Sequence, residues 1–340
     1  MDQNARATLK SISRVAGVAV STVSRALNYD PRISQITRSR IRKIAESANY
    51  IPNTHARSLS GRHSGVIALM LGEVTNPFYP ELLQHLTHQV AERDLQLMLL
   101  PIGAGRMDLA AMKKLMEHGI DGCILAAASL APDVADGLSQ LGTPLVMINR
   151  PGFGRACAVW CNNVAAGGTI GRFLLDQGFR NIAYAAGRAD ESDRERGLRA
   201  ALAQHGLALS GRVSGTYSYQ SGMSMAEQLL SAPERPQAIV GANDIIALGV
   251  MEGVRRAGLR VPDDVSVVGM DDIEMASWSS YDLTTVAQPT PQMISRALDL
   301  LTQRIADPSL AAEEIHLPGT LRVRSSVRLA ADFSESRSMT

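Results

Sequence analysis

Residues 8–28 read TLKSISRVAGVAVSTVSRALN, two helical periodicities held apart by a single glycine. Thr8 is placed as a helix cap, and Leu9, Ile12, Val15 and Ala16 form the apolar stripe of a first helix running to about Ala16. Gly17 can take the left-handed conformation that stops it. The second helix spans about Val20 to Asn28, buries Val23, Ala26 and Leu27, and presents Val20, Ser21 and Thr22 at its start. After a break at Asp30 and Pro31, Ser34 caps a third helix to about Asn49, with Ile41, Ile44, Ala45 and Ala48 inward. Pro52 ends that region, and Asn53 caps a short helix through Leu59. Segments this short and this patterned fold as a small all-α head.

Charge separates this head from the rest of the chain. Residues 1–63 hold eleven Lys/Arg against three acids, in a chain of 340 residues whose formal net charge is only +1. The remainder therefore carries a net charge of −7. A cationic head on an anionic body suits a polyanion binder that keeps its body away from phosphates. Three cysteines, at 123, 157 and 161, show neither metal-ligand spacing nor a disulfide framework, as in a reducing compartment. The polar N-terminus lacks a signal core and no apolar run is long enough to span a bilayer, so a cytoplasmic location without membrane contact is expected.

From Ser64 the pattern changes to short apolar runs alternating with amphipathic stretches. Strands are expected at 65–71, 95–101, 121–127, 144–148, 158–161, 181–186, 238–241 and 265–269. Helices are expected near 79–93, 107–118, 164–177, 192–205, 222–231 and 243–257. Regular β-then-α alternation argues for parallel sheets with helices on both faces. The pattern runs twice and breaks near residue 162, giving two α/β lobes with a cleft at the carboxyl ends of their strands. A helix at 291–306 and strands near 314–329 return to complete both lobes. The expected divisions are 1–63 for the head and hinge, 64–161 plus about 290–320 for one lobe, 162–289 plus about 321–332 for the other, and a disordered tail at 333–340.

A helix of this kind fits the major groove of B-DNA, and its first residues reach base edges. Val20 offers an apolar surface for a thymine methyl, Ser21 can donate or accept, and Arg25 can reach a guanine or a phosphate. The alternative is a generic three-helix bundle. A lone Leu59 between Arg57 and Arg62 is odd for a linker but suits a wedge pushed between base pairs from the minor groove. The alternative there is an ordinary linker that happens to contain leucine.

The segment Thr8–Gly61 resembles the lac-repressor and purine-repressor family of bacterial transcription regulators. The pattern TLK, AGV, STVSRALN and PN-x-x-A-R-S-L carries the likeness. It continues through the body in Asn76–Leu82, Asp121–Leu125, Gly241–Asp244, Val267–Asp272 and Leu283–Gln288. The resemblance implies a homodimer, a two-lobed sensor like the periplasmic binding proteins with two doubly wound sheets, and a hinge helix that folds on operator DNA. It makes Thr8, Val20, Ser21, Thr22, Ser24, Arg25, Asn53, Ala56, Arg57 and Leu59 the DNA-binding candidates. It makes Phe78, Tyr79, Asn149, Arg194, Tyr217, Asn243, Asp271 and Gln288 the effector-binding candidates. Their chemistry is sensible: Asp271 accepts hydroxyl hydrogen bonds, Asn243 donates and accepts, and Arg194 can fork onto a carboxylate or vicinal oxygens. Each also has a plainer role open to it: a surface ion pair for Arg194, a helix cap for Asp271, a turn for Asn149.

The chain departs from the family in places. The loop from Gly187 to Arg194 is short, which leaves Arg188, Asp190 and Ser192 in doubt as contacts. Tyr281 and Asp282 stand where prolines are common, and Asn162–Asn163 where Asp-Asn is. The heptad-rich tail of the tetrameric lac repressor is absent, favouring a dimer.

Enzyme motifs fail. Gly103 and Gly105 follow a strand, but Asp108 occupies the third position of a dinucleotide fingerprint. The stretch 222–226 lacks the last glycine of a nucleophile elbow. The expectation is a DNA-binding repressor, not an enzyme, with no cofactor or metal, whose partners are double-stranded operator DNA, a second copy of itself and a small polar effector, a sugar or sugar acid. Two rivals are a sugar-binding protein with an unrelated head and an architectural DNA protein without an effector.

Overall fold

The computed structural model describes residues 7–27, 30–50, 63–71, 75–101, 119–126 and 142–330. The chain divides into two compact units, Met1–Ser64 and Gly65–Thr340.

The head is built from α1 (Leu9–Ala16), α2 (Val20–Leu27) and α3 (Gln35–Ser47). Thr8 Oγ1 accepts the Ser11 N–H at 3.2 Å while Ser11 Oγ accepts the Thr8 N–H at 2.9 Å, a reciprocal cap on α1. Gly17 closes the helix at φ 63°. Ile12, Ala16, Val23, Ala26, Ile41 and Ala45 make the core. Val15, expected inward, is 72 % exposed. The 100° step of the helix turns it off the line that Leu9, Ile12 and Ala16 share. Ala48, also expected inward, is exposed because α3 has already ended and Ala48 is its C-cap. Several of the head's cations hold the fold together. Arg40 Nη2 donates to the Ala16 carbonyl at the end of α1 (2.6 Å), Arg38 Nη2 to the carbonyls of Asp30 and Ile33 (2.9 and 3.1 Å), and Arg32 grips the buried Asp30 carboxylate through two bonds.

Among the described residues, the larger unit holds two six-stranded sheets. The chain first lays down β1 (Val66–Leu71), α4 (Phe78–Glu92), β2 (Gln96–Pro101), β3 (Gly122–Ala126), β4 (Leu145–Ile148) and β5 (Cys157–Cys161). It then forms α5 (Asn163–Asp176), β6 (Ile182–Ala186), α6 (Asp193–Ala203), β7 (Gly211–Ser214), α7 (Tyr219–Leu230), β8 (Ala238–Gly241), α8 (Asp244–Arg256), β9 (Ser266–Asp271) and β10 (Thr284–Ala287). Last come α9 (Thr290–Ala306), β11 (Glu314–Leu317) and β12 (Thr320–Arg322). The first sheet runs β11-β5-β4-β3-β1-β2 with every pair parallel. The second runs β12-β10-β9-β8-β6-β7, parallel except for β12 against β10. Helix α9 packs on the first sheet, so the chain crosses between lobes after β5, after β10 and between β11 and β12.

The strand interiors are continuous apolar runs, as sheets covered on both faces require. Two strands were not expected from the pattern. The edge strand β7 is only half-buried, and β10 carries two buried threonines that look polar in sequence. Their hydroxyls are satisfied internally: Thr284 donates to the Arg324 carbonyl and Thr285 to Asp244. The expected helix 107–118 and the tail 333–340 lie outside the described residues. One close approach matters for the cleft. A Cβ on Gly167 would stand 2.0 Å from the Arg194 carbonyl oxygen, and one on Gly197 2.0 Å from that of Val164. Glycine at both places lets α5 and α6 meet backbone to backbone and brings Arg194 beside the start of α5.

Candidate functional site

In the head, the inward Val23 and Ala26 fix the orientation of α2. The opposite face presents Ser21 at its centre, flanked by Val20, Ser24 and Arg25. Val20 is 41 % exposed, Ser21 and Arg25 are exposed, and Ser24 is half-buried. None of the side chains of Ser21, Ser24 and Arg25 makes a hydrogen bond among the described residues. Thr22 turns toward the edge of the core and is half-buried, while Thr8 is occupied as the α1 cap. Asn53, Ala56, Arg57 and Leu59 lie outside the described residues.

The second candidate lies where strands of both sheets end. Asn149 follows β4, Gly187 follows β6, Asn243 follows β8, Asp271 ends β9 and Gln288 follows β10, while Phe78 and Tyr79 open α4 after β1. At its centre is a buried ion pair: Arg194 Nη2 donates to Asp271 Oδ1 at 2.9 Å. The same guanidinium donates through Nε to Asn163 Oδ1 (3.0 Å) and through Nη1 to the Ala242 carbonyl (2.7 Å). Burial is the largest single effect and works against the charge on Arg194, but the Asp271 carboxylate together with Tyr217, Tyr184 and Cys161 outweighs it and holds the group above the usual arginine range. Asp271 Oδ1 also accepts from Gln288 Nε2 at 2.7 Å, and the Asn76 side chain favours the charged form of the Asp271 carboxylate. Burial pushes the Asp271 carboxyl up, against the pull of Arg194.

Aromatic walls flank this centre. Phe78 and Tyr79 meet edge to face, with ring centroids 5.5 Å apart. Burial, reinforced by the Asp271 charge, raises the Tyr79 phenol to about 12, with Arg194 and the Asn149 side chain pulling the other way. Tyr217 lies flat over Gly187, where any Cβ would strike its ring at 2.4 Å. The backbone is strained here: Asn149, Asp271 and Asp272 have φ of 63°, 138° and 59°. Such conformations persist where surrounding structure fixes them, as at ligand clamps.

The structure thus brings Phe78, Tyr79, Asn149, Arg194, Asp271 and Gln288 to one cleft, with Tyr217 at its edge on Gly187. Asn243 sits beside them, and its Oδ1 also caps α8 by accepting the Ile246 N–H at 3.1 Å. Ser192 caps α6, and Arg188 and Asp190 are exposed. Four contributors escaped the sequence. Asn163 holds the Arg194 end of the ion pair and Asn76 favours the charged form of Asp271, and the Ala242 carbonyl has no side-chain signature at all. Asp244, fully buried, accepts from Thr285 Oγ1 (2.6 Å) and from the Ile273 N–H (3.0 Å). The absence of a side chain on Gly269, whose Cβ would lie 2.1 Å from Asp244 Oδ1, makes room for that carboxylate. The motif 241–244 was visible in sequence, but nothing in it says which polar residue caps and which supports Asp271.

Comparison with known proteins gives the same division. Residues 8–53 match the bacterial regulatory proteins of the lacI family, and residues 172–327 match a periplasmic binding protein-like domain. The chain is 32 % identical over 328 residues to the ribose operon repressor of Escherichia coli (strain K12), covering 94 % of this chain and 99 % of that one. The chain belongs to the lacI family. As a member it is a ligand-regulated, DNA-binding regulator of transcription and not an enzyme. Among solved structures, the lac repressor dimer bound to operator and the anti-inducer ONPF superposes with a TM-score of 0.83 at 25 % identity, covering 96 % of this chain and all of that one. A lacI-family regulator from Enterococcus faecium with bound ribose gives 0.70 at 25 % identity, over 78 % and 99 %. No helix among the described residues is long and apolar enough to cross a membrane.

Proposed function

We propose that this lacI-family member is a cytoplasmic repressor that binds a near-palindromic operator as a homodimer and is governed by a sugar or sugar acid held between its lobes. The observation that carries the effector half is the polar ring Arg194–Asp271–Gln288, walled by the aromatic rings of Phe78 and Tyr79. Apolar walls around a few convergent polar groups are what a polyhydroxylated ligand needs. The ribose-bound relative and the ribose operon repressor favour a sugar as the first probe.

For the DNA half, Val20, Ser21, Thr22, Ser24 and Arg25 are assigned to the major groove, Thr8 to the phosphates, and Asn53, Ala56, Arg57 and Leu59 to a hinge that wedges the minor groove. The head is assigned to 1–63, and the lobes to 64–161 plus about 290–320 and 162–289 plus about 321–332. A ligand that fits one lobe arrangement better than another shifts DNA binding through that difference, by ~1–3 kcal/mol in typical coupled systems. The test is selection of duplexes from a randomised pool, with and without D-ribose. A palindromic sequence should emerge, with log affinity falling against log salt by roughly 0.9 per phosphate contact. Failure to enrich any sequence under either condition would overturn the proposal.

A further inference from the structure

The first turn of α6 carries a charge where its pattern calls for an apolar residue. Leu198 and Leu202 follow Glu195 along the buried line of the helix, and Glu195 itself is only 1 % exposed. Its Oε1 accepts from Arg212 Nε of the edge strand β7 at 2.8 Å and from Arg199 Nε at 2.9 Å. Its Oε2 is buried and has no partner among the described residues. Stability is a weak reason for this arrangement. Apolar side chains of similar volume often match or better a buried ion pair, and an unsatisfied buried oxygen adds a further cost.

What the pair supplies is geometry. Arg212 uses a second arm of its guanidinium, and Nη2 donates to the carbonyls of Arg188 (3.1 Å) and Asp190 (3.3 Å). Both carbonyls belong to the loop 187–192 that joins β6 to α6. At the far end of that loop, Ser192 Oγ accepts the Glu195 backbone N–H at 3.2 Å. Glu195 is therefore tied to the loop twice, by its own backbone and through Arg212. The loop opens at Gly187, the seat of the Tyr217 ring. It leads into α6, where Arg194 reaches Asp271. Successive residues on a helix are turned by about 100°, so fixing the direction of Glu195 fixes that of Arg194 too.

We infer that Glu195 and Arg212 are positioning residues for the effector cleft. Acting as one clamp behind its wall, they set the loop under Tyr217 and the aim of Arg194, and through these two residues they set effector affinity. The inference rests on the reading of the cleft as an effector site and deepens it. A side chain that serves a binding group in this way acts by holding it in one geometry, and its loss is felt as affinity before it is felt as stability.

The experiment compares the full-length chain with Arg212→Lys and with the double variant Glu195→Leu/Arg212→Leu. Lysine keeps a cation for Glu195 but has a single charged group in place of the fork, so it cannot hold Glu195 and the loop carbonyls through separate arms. The leucine pair replaces the ion pair with apolar atoms, and Arg199 keeps Glu191 as its partner at 3.2 Å. Three quantities are read: the urea midpoint, hydrogen exchange of the amides of 187–194, and D-ribose affinity by calorimetry. The urea midpoint should hold in both variants while exchange in 187–194 quickens by about tenfold. D-ribose should bind about tenfold more weakly, the weight of one misaligned bond to a charged group. Affinity that stays at the natural value, or that falls only in step with the urea midpoint, would overturn the clamp and leave the sugar reading standing. Unchanged exchange in both variants would overturn it as well. No binding of D-ribose by the natural chain would remove the sugar reading, and exchange of 187–194 alone would then decide the clamp.

Discussion

The outward face of α2 and the cleft between the lobes use polar side chains in opposite ways. On α2, Ser21, Ser24 and Arg25 make no side-chain hydrogen bonds among the described residues, and Ser21 and Arg25 stand in solvent. In the cleft, Asp271 and Gln288 are buried and Arg194 is partly so, and both Arg194 and Gln288 are already bonded to Asp271. A surface that must read many sequences keeps its groups in water, so that only a matching base edge repays their desolvation. A switch needs its groups assembled in advance, so that a ligand competes with internal partners and alters the balance between states. The outward face of α2 should therefore tolerate substitution in stability and lose binding, whereas the cleft should lose stability first.

The strongest test of this contrast is Arg194→Ala. It leaves the Asp271 carboxylate buried beside Gln288 without its cation, and breaking such a pair costs about 3–5 kcal/mol. Urea denaturation of the purified chain should show that loss, and the sugar response should vanish with it. An unchanged urea midpoint would mean that water replaces the guanidinium freely and that the cleft is no more preorganised than the head.

A second test uses acidity. Asp244 lies fully buried below Asp271, and burial, then the Asp271 charge and to a smaller degree Asp272, raises its carboxyl above the unfolded value. The cations nearby, Arg194 and Arg324, answer Asp271 and Asp272. A raised carboxyl means the folded chain binds the proton more tightly than the unfolded chain. This contribution to stability is complete below the ordinary carboxylate range and is lost as pH rises toward neutrality. Asp244→Asn can still accept the Ile273 N–H and donate to Thr285, and it removes the titration. Denaturation midpoints followed from pH 5 to 8 should fall more steeply with pH in the natural chain than in the variant. Parallel curves would show that Asp244 does not hold the proton. In the head the buried carboxylate of Asp30 behaves oppositely: the Arg32 guanidinium holds it well below the usual range.

The same contrast explains what the sequence made legible. Helical spacing and the caps Thr8, Ser34 and Gly17 are local, so the head was readable, apart from Val15 and Ala48 at the margins of their helices. The parallel sheets were readable because both faces are covered and the strands are unbroken apolar runs. Strands β7 and β10 were not, since an edge position and two threonines satisfied by distant groups carry no apolar signal. In the cleft, Arg194, Asp271 and Gln288 came from the family pattern. Their supports came from nowhere in the sequence, because Asn76, Asn163, the Ala242 carbonyl and Asp244 belong to segments that meet only after both lobes fold. Asn243 shows the limit most clearly, since its oxygen also caps α8 by accepting the Ile246 N–H, a second duty that the motif does not announce.

On the head, Arg25→Ala should leave the urea midpoint within the ~0.5 kcal/mol typical of surface changes. It should weaken binding to a selected duplex by about 1–3 kcal/mol if Arg25 reads a guanine. In that case the loss falls on one base position. A loss spread evenly over all sequences, with a shallower salt dependence, would place Arg25 on a phosphate.

Ser21→Arg is the finest probe, because it is expected to change meaning rather than strength. Ser21 sits at the centre of the exposed face, one turn before Arg25, and its side chain leaves no bond behind when replaced. A guanidinium there supplies the bidentate fork that serine lacks, which favours guanine in the major groove. The half-site selected by the variant should gain a guanine at one position, with stability unchanged. If the natural chain and the variant selected the same half-site, the reading face of α2 would have to turn away from Ser21. The assignment of exposed, unbonded residues to base recognition would then fail at its central residue.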